Sequence, residues 1–256
     1  MKMMDDSLAQ VTLSDSTMEI ELNRPHRGNA LSAALVEALI ESLAAAESDM
    51  SLDTVVLRGA GRHFCTGFDL ESIEQQSDGD LLHRFVRIET LLSMLWGTRL
   101  RTVAIGSGRT WGAGADLFTA CDVRIAPAEC RFRFPGAGFG LVLGTRRLAV
   151  RVGEDKARLW TTTGIEFAFA EAVAAGLVSH VPDDGGSVDA VLGKLPVISV
   201  DAVTLRALNE ASRRDESERD LALLTRSASR PGLKNRILAY AQGRQSDRGR
   251  AAAAGA

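Results

Sequence analysis

Residues 107–122, "SGRTWGAGADLFTACD", decide how the chain is read. They follow a run rich in β-branched residues, "TVAIGS" (102–107), and lead into another, "DVRIAP" (122–127). Between the two, three small residues (Gly112, Ala113 and Gly114) stand just ahead of a lone carboxylate, Asp116, and a mostly apolar run from Leu117 to Cys121. The pattern is strand, tight bend, buried helix, strand. Two readings of Asp116 stay open on these residues. It is either an acid that favours the helix dipole from the first turn, or a carboxylate facing a ligand beside amides that the bend frees.

The same alternation extends towards the N-terminus. "MEIELN" (18–23) and "TVVLRG" (54–59) read as strands bounded by turn formers. Between them "SAALVEALIESLAAAESD" sets Leu35, Leu39 and Leu43 beside Val36 and Ile40 at helical spacing, with Ser32 placed as N-cap. A second helix is expected over roughly Asp80 to Trp96, with Leu81, Phe85, Ile88, Leu92 and Leu95 on one face. Strands alternating with helices predict an α/β layered domain. Beyond residue 150 the pattern turns helical, in "EDKARLWTTTG", "FAEAVAAGLV", 201–224 and 231–243. The expected organisation is a core over residues 1–186, a turn-rich hinge at Pro182–Gly186, and a helical C-terminal segment over residues 187–256.

Composition bounds the function. The chain has 256 residues, 45% hydrophobic and 25% charged, with a net charge of −3, which gives no bias towards polyanions. Three cysteines, Cys65, Cys121 and Cys130, cannot all pair, and without a CxxC or a Cys/His cluster no metal is expected. A reducing compartment follows. The start, "MKMMDDSLAQ", carries acids where a signal peptide needs an apolar core, and no apolar run reaches spanning length. The expectation is a cytoplasmic protein without membrane or nucleic-acid partners, its tail "GRQSDRGRAAAAGA" a solvated, frayed end.

The common phosphate-loop and nucleophile-elbow motifs are missing, and His26, His63, His83 and His180 offer no triad spacing. What remains is a second glycine-containing bend, "GRHFCTGFDL" (61–70), after the strand "TVVLRG". Two such bends side by side present a pair of free N–H donors, which suits an enolate or tetrahedral oxyanion.

Five segments in order carry a resemblance: "LNRPHRGNALS", "VVLRGAGRHFCTGFDLESI", "GSGRTWGAGADLFTACDVRIAP", "FRFPGAGFG" with "GTRRL", and "TTTGIEFAFAEAVAAGLVSHV". Together they resemble the crotonase (enoyl-CoA hydratase/isomerase) superfamily over roughly residues 18–181. The resemblance implies a spiral of ββα units with a helical C-terminal region, assembled as a homotrimer or dimer of trimers. It implies an acyl-CoA thioester substrate, with coenzyme A as part of the substrate and no other cofactor. By position, the amides of Phe68 and Ala113 would polarise the thioester carbonyl and stabilise its enolate, and Asp116 would be the acid/base. Around them Arg27, Cys65, Thr66, Gly67, Trp111, Gly112 and Gly136 would contact the substrate. For Trp111 an acyl-pocket wall and core packing both stay open; for Arg27, a site near the CoA phosphates and a solvated loop. Arg133, His63 and Glu71 are further polar groups near the pocket by motif position, with Arg133 either a solvated edge residue or a clamp for a substrate carboxylate. Asp69 and Asp122 read as structural.

The departures bear on mechanism. Ala113 stands where the family usually has glycine, which leaves a backbone donor intact if its φ is negative. Thr102 stands for a frequent proline and is neutral for chemistry. Gly136 stands where hydratases carry their second glutamate, and "GLVLGTRRL" is about three residues short of the family's turn. Hydration needs one group to activate water and another to deliver a proton. The leading expectation is a lyase or isomerase acting through an enolate, and the alternative is a non-catalytic acyl-CoA-binding homologue. A third is an interaction module stabilised by trimerisation.

Overall fold

The computed structural model describes residues 7–183 and 186–254. Residues 1–6 of the acid-bearing start and residues 184–185 of the expected hinge lie outside the described residues. In chain order the elements are β1 (Ala9–Ser14), β2 (Thr17–Leu22), α1 (Ala33–Ser48), β3 (Thr54–Gly59), α2 (Asp78–Gly97), β4 (Arg101–Ile105), β5 (Arg109–Trp111) and α3 (Ala113–Ala120). There follow β6 (Val123–Ile125), β7 (Arg131–Arg133), α4 (Thr145–Val152), α5 (Glu154–Thr163), β8 (Glu166–Ala168) and α6 (Phe169–Ala174). Four helices close the chain: α7 (Val188–Gly193), α8 (Ala202–Ser212), α9 (Ser217–Ala228) and α10 (Leu233–Ala254).

The larger sheet has the order β1-β2-β3-β4-β6, antiparallel at β1/β2 and parallel thereafter. Its register pairs Ile20 with Leu57, Val56 with Val103 and Ile105 with Ile125. The central strands are apolar on both faces because both faces are covered. Val55, Leu57 and Ala104 join the main core beneath α1 and α2, whereas Val56, Val103, Ile105 and Ile125 form a second cluster against Val188, Val191 and Leu192 of α7. A three-stranded sheet, β5-β7-β8, stands beside it.

The expected strands and the two long helices are present within a few residues of their predicted bounds. Ser32 accepts the Leu35 amide at 3.2 Å as the N-cap of α1. Two expectations are corrected. The stretch 201–224 is two helices, not one, because Arg213 turns extended and ties its guanidinium to the Trp96 carbonyl and the Asp122 carboxylate, each at 2.6 Å. The tail is helical as far as Ala254 rather than frayed, and Asp78 at the start of α2 caps its first turn by accepting the Gly232, Leu233 and Lys234 amides. On the C-terminal helices, Leu224, Leu233 and Ile237 enter the main core, while Leu221 is 39% exposed.

One aromatic stack braces the second sheet against α5. Trp160 is fully buried, lies 3.8 Å centroid to centroid from Phe167 and 6.3 Å from the nearly parallel ring of Phe134, and donates its indole N–H to Glu171 at 2.9 Å. Trp160→Ala is expected to cost about 3–5 kcal/mol. Thermal unfolding should show the loss as roughly 2–4 °C of Tm per kcal/mol.

Candidate functional site

Parallel pairing of β3 with β4 sends both glycine-containing bends out at the same end of the sheet, where open parallel sheets place their ligand crevices. The bends are laced together by backbone bonds. Phe64 donates to the Ser107 carbonyl at 2.9 Å, and Trp111 donates to the Cys65 carbonyl at 3.0 Å. Gly67 has φ +95°, and a Cβ there would lie 2.8 Å from the Trp111 carbonyl oxygen and 3.3 Å from the Ala113 nitrogen. Only glycine allows that approach. Gly112, at φ +54° and ψ −130°, takes the unusual conformation of the second bend. Ala113 is therefore free to be the first helical residue of α3, which is why alanine is accepted at 113.

These bends leave two amides without protein acceptors. In the parallel bridge between Leu31 and Phe68 the bonding groups are the Gly67 carbonyl, which accepts from Leu31 at 2.8 Å, and the Asp69 amide, which donates to Leu31 at 3.2 Å. The Phe68 N–H thus points away from that bridge. Ala113 opens α3, so no carbonyl one turn earlier receives its N–H. Among the described residues neither amide has a hydrogen-bond acceptor. Both residues line one cavity of about 260 Å³, with Thr66, Gly67, Gly112 and Gly136 also in its wall.

Asp116 follows Ala113 by three residues, so the two share a face of α3. It is 6% exposed, lines the cavity, and its carboxylate has no hydrogen-bond partner among the described residues. Burial pushes its carboxyl well above the usual range, the charge of Glu89 adds to the rise, and Arg147 opposes it. Gly144 closes over it, since a methyl there would overlap the Asp116 carboxylate. The loop that ends in Gly144 is thus fitted to this acid.

The remaining sequence candidates fall on either side of this cavity. Arg27, Trp111 and His63 line an adjoining groove with Arg109 and Glu71, and Thr66 and Phe68 belong to both spaces. Arg27 pairs with Glu71. His63 accepts the Arg109 amide at 3.1 Å through Nδ1, and burial and the nearby arginines hold its pKa down. Trp111 therefore walls the groove, not the apolar cavity, with the Arg109 guanidinium 4.7 Å from its ring. Cys65 lines neither space: its side chain is buried, burial pushes its thiol up to about 12 against a hydrogen bond from the Gly67 backbone, and its carbonyl accepts the Trp111 amide. Arg133 donates to the Gly164 carbonyl at 2.6 Å and lies outside the cavity wall, so the clamp reading has no geometry behind it. Asp69 pairs with Arg24 at 2.8 Å, and Asp122 clasps Thr102 across β4 and β6 at 3.0 Å. Gly136 lines the cavity with ordinary van der Waals room for a side chain, the nearest atom being the Leu141 carbonyl oxygen at 3.7 Å from a Cβ.

Other wall residues were not singled out in the sequence. Phe85, Phe139 and Tyr240 form an aromatic line, with ring centroids 6.4 Å and 5.2 Å apart along it. Phe85 was legible only as a core position, and Tyr240 reaches the cavity because Asp78 fixes the start of α10. Among the described residues no group of acids, histidines and cysteines is arranged for a metal, and no helix is long and apolar enough to cross a membrane.

The raised carboxyl of Asp116 has a stability consequence. The folded chain holds this proton more tightly than the unfolded one, so the contribution is full below the ordinary aspartate value of 3.8 and is lost as pH rises through the folded value. Asp116→Asn does not titrate. In denaturant unfolding at a series of pH values, the variant should gain on the wild type as pH rises from about 4 towards neutrality. A difference independent of pH would contradict the assignment.

Comparison with known proteins gives the family. The family model described as enoyl-CoA hydratase/isomerase matches residues 12–215. The 2,3-dehydroadipyl-CoA hydratase of Escherichia coli K12 is 33% identical over 183 residues, 68% of this chain and 69% of that protein. The crystal structure of a "putative enoyl-CoA hydratase/isomerase" from Bordetella parapertussis superposes with a TM-score of 0.86 at 40% identity, covering 91% of this chain and 98% of that one. A "putative enoyl-CoA hydratase" from Thermobifida fusca YX, solved in complex with acetoacetyl-CoA, gives a TM-score of 0.70 at 25% identity, covering 87% and 93%. With its crotonase-type fold and the matched family model, the chain belongs to the enoyl-CoA hydratase/isomerase family.

Proposed function

We propose that this chain is an acyl-CoA-processing enzyme that stabilises a thioester enolate between the amides of Phe68 and Ala113. The observation that carries this reading is the convergence, in one largely apolar cavity, of two amides without acceptors among the described residues and one buried carboxyl. Preorganised donors in such a low-dielectric site act on charge as it develops on the thioester oxygen. The groove beyond Thr66 and Phe68, edged by Arg27 and Arg109, offers cationic side chains on the route a CoA phosphate would take.

Asp116 serves as the acid/base. A carboxyl with a raised pKa is suited to exchange a proton with substrate carbon near neutral pH. Among the described residues it is the only carboxylate in the cavity wall, and Gly136 supplies none. One carboxyl is enough to take a proton from one carbon and return it to another. Hydration needs a second carrier. An enolate step run by a single carboxyl, isomerisation included, therefore fits this wall better than a two-acid hydration. Family behaviour also suggests a cytoplasmic homotrimer or dimer of trimers, and the exposed Leu208, Leu221 and Leu223 on the C-terminal helices support association. The bare Gly136 favours one second reading, a homologue that binds acyl-CoA without turning it over.

Asp116→Asn separates these. For an enzyme, kcat on a short enoyl-CoA should fall by about 10²- to 10⁴-fold, with CoA-ester affinity retained in calorimetry. Wild-type protein that binds CoA esters and turns none over would establish the second reading. Absence of any binding would leave only an interaction module.

A further inference from the structure

The two amides of the cavity are held by different means. The Ala113 N–H opens a helix, and Gly112 before it donates to the Arg133 carbonyl at 2.8 Å. The Phe68 N–H lies in the segment between β3 and α2, outside any helix or strand. The bridge to Leu31 orients the peptides on either side of Phe68, through the Gly67 carbonyl and the Asp69 amide. What ties this bridge to the body of the protein is a side chain of α2.

That side chain is Arg84. Its Nη2 donates to the Asp69 carbonyl at 2.8 Å and to the Leu31 carbonyl at 3.4 Å, so one nitrogen spans both sides of the bridge. Its guanidinium carbon lies 4.0 Å from the centre of the Phe68 ring. Phe85, the next residue of α2, stacks on the same ring at 4.3 Å. Nη1 donates to the Gln76 side chain at 3.0 Å, which steadies the fork from its other arm. Nε is buried without a hydrogen-bond partner among the described residues, an unpaired donor that costs stability. Arg84 lies outside the cavity wall, so its reach into the site runs through Phe68, which is part of that wall.

We propose that Arg84 is a positioning residue for the amide pair: it holds the Phe68 N–H where that donor and the Ala113 N–H reach one thioester oxygen. The inference rests on reading those amides as the carbonyl-binding pair. Two donors stabilise developing charge only if both are aimed at the same atom, and a misplacement of about 1 Å can cost about 10²-fold. Ala113 is carried by α3, whereas Phe68 is carried by a loop whose placement depends on its ties. Arg24 secures the same loop elsewhere, through the Asp69 carboxylate at 2.8 Å and the Ala30 carbonyl at 2.6 Å. Loss of Arg84 should therefore shift the Phe68 amide without unfolding the bend.

The test reads the carbonyl itself. The full chain is saturated with a short 2-enoyl-CoA carrying 13C at the thioester carbon, and the resonance is compared free and bound. Donors that reach the oxygen polarise the carbonyl, so the wild type should move the resonance downfield. Arg84→Met keeps the stem, removes the fork, and should lose most of that displacement. Arg84→Lys keeps the charge but not the planar fork, and should also lose most of it. If Arg84→Met does not fold, Arg84→Lys carries the test. A merely structural Arg84 would lower Tm and leave the bound resonance at its wild-type position. That result overturns the proposal, as does full displacement in Arg84→Lys or the failure of both variants to fold. Displacement retained in the variants leaves the enolate reading standing. A wild-type protein that binds no CoA ester, or binds it without displacement, would sink the enolate reading and this inference with it.

Discussion

The contact between Gly67 and the backbone at Trp111–Ala113 is the constraint on which the site depends. Two chain segments, 44 residues apart at Gly67 and Trp111, meet with no side chain between them, a Cβ at residue 67 being 2.8 Å from the Trp111 carbonyl. The contact exists because β3 and β4 are neighbours in parallel register and each breaks into a bend at its C-terminal end. The bridges Leu31–Phe68 and Cys65–Thr110 then consume the inward groups of both bends. What is left over faces the cavity.

Electrostatics in this site are built from backbone and burial more than from formal charge. The two amides carry only partial charge, and the surroundings of the carboxyl beside them push its pKa well above the usual range. The start of α3 favours an anion at Asp116, yet desolvation and the Glu89 charge act the other way and dominate. Formal charge is placed at a distance, in the arginine-edged groove on one side and in the Glu89–Arg147–Asp220–Arg146 chain on the other. The apolar wall of Phe85, Phe139 and Tyr240 lets modest partial charges act strongly.

Much of this was legible in local sequence. The run "TVVLRG" gave β3 its bounds at Thr54–Gly59, and Ser32 with Leu35, Leu39 and Leu43 gave α1 its cap and buried face. Both rest on signals contained within one element. The strands β5, β7 and β8 have three residues each and exist only through pairing with one another, so no local pattern announces them. The break between α8 and α9 depends on Arg213 meeting Trp96 and Asp122, more than 90 positions away. At the site, the bends and Asp116 were readable from small residues beside an acid. Trp111 and Arg133 were not, since the direction of a side chain on a short strand is set by its partner strands. Glu89 did leave a trace: it lies four residues after Phe85 and three before Leu92, a charge on a helical face otherwise meant for the core.

The most direct measurement is a crystal structure of the protein with a bound enoyl-CoA or acetoacetyl-CoA. The account predicts the thioester oxygen within hydrogen-bond reach of both the Phe68 and Ala113 nitrogens, about 2.7–3.2 Å, with the acyl α-carbon towards Asp116. An oxygen beyond roughly 3.5 Å from both nitrogens, or an acyl group seated outside this cavity, would contradict it.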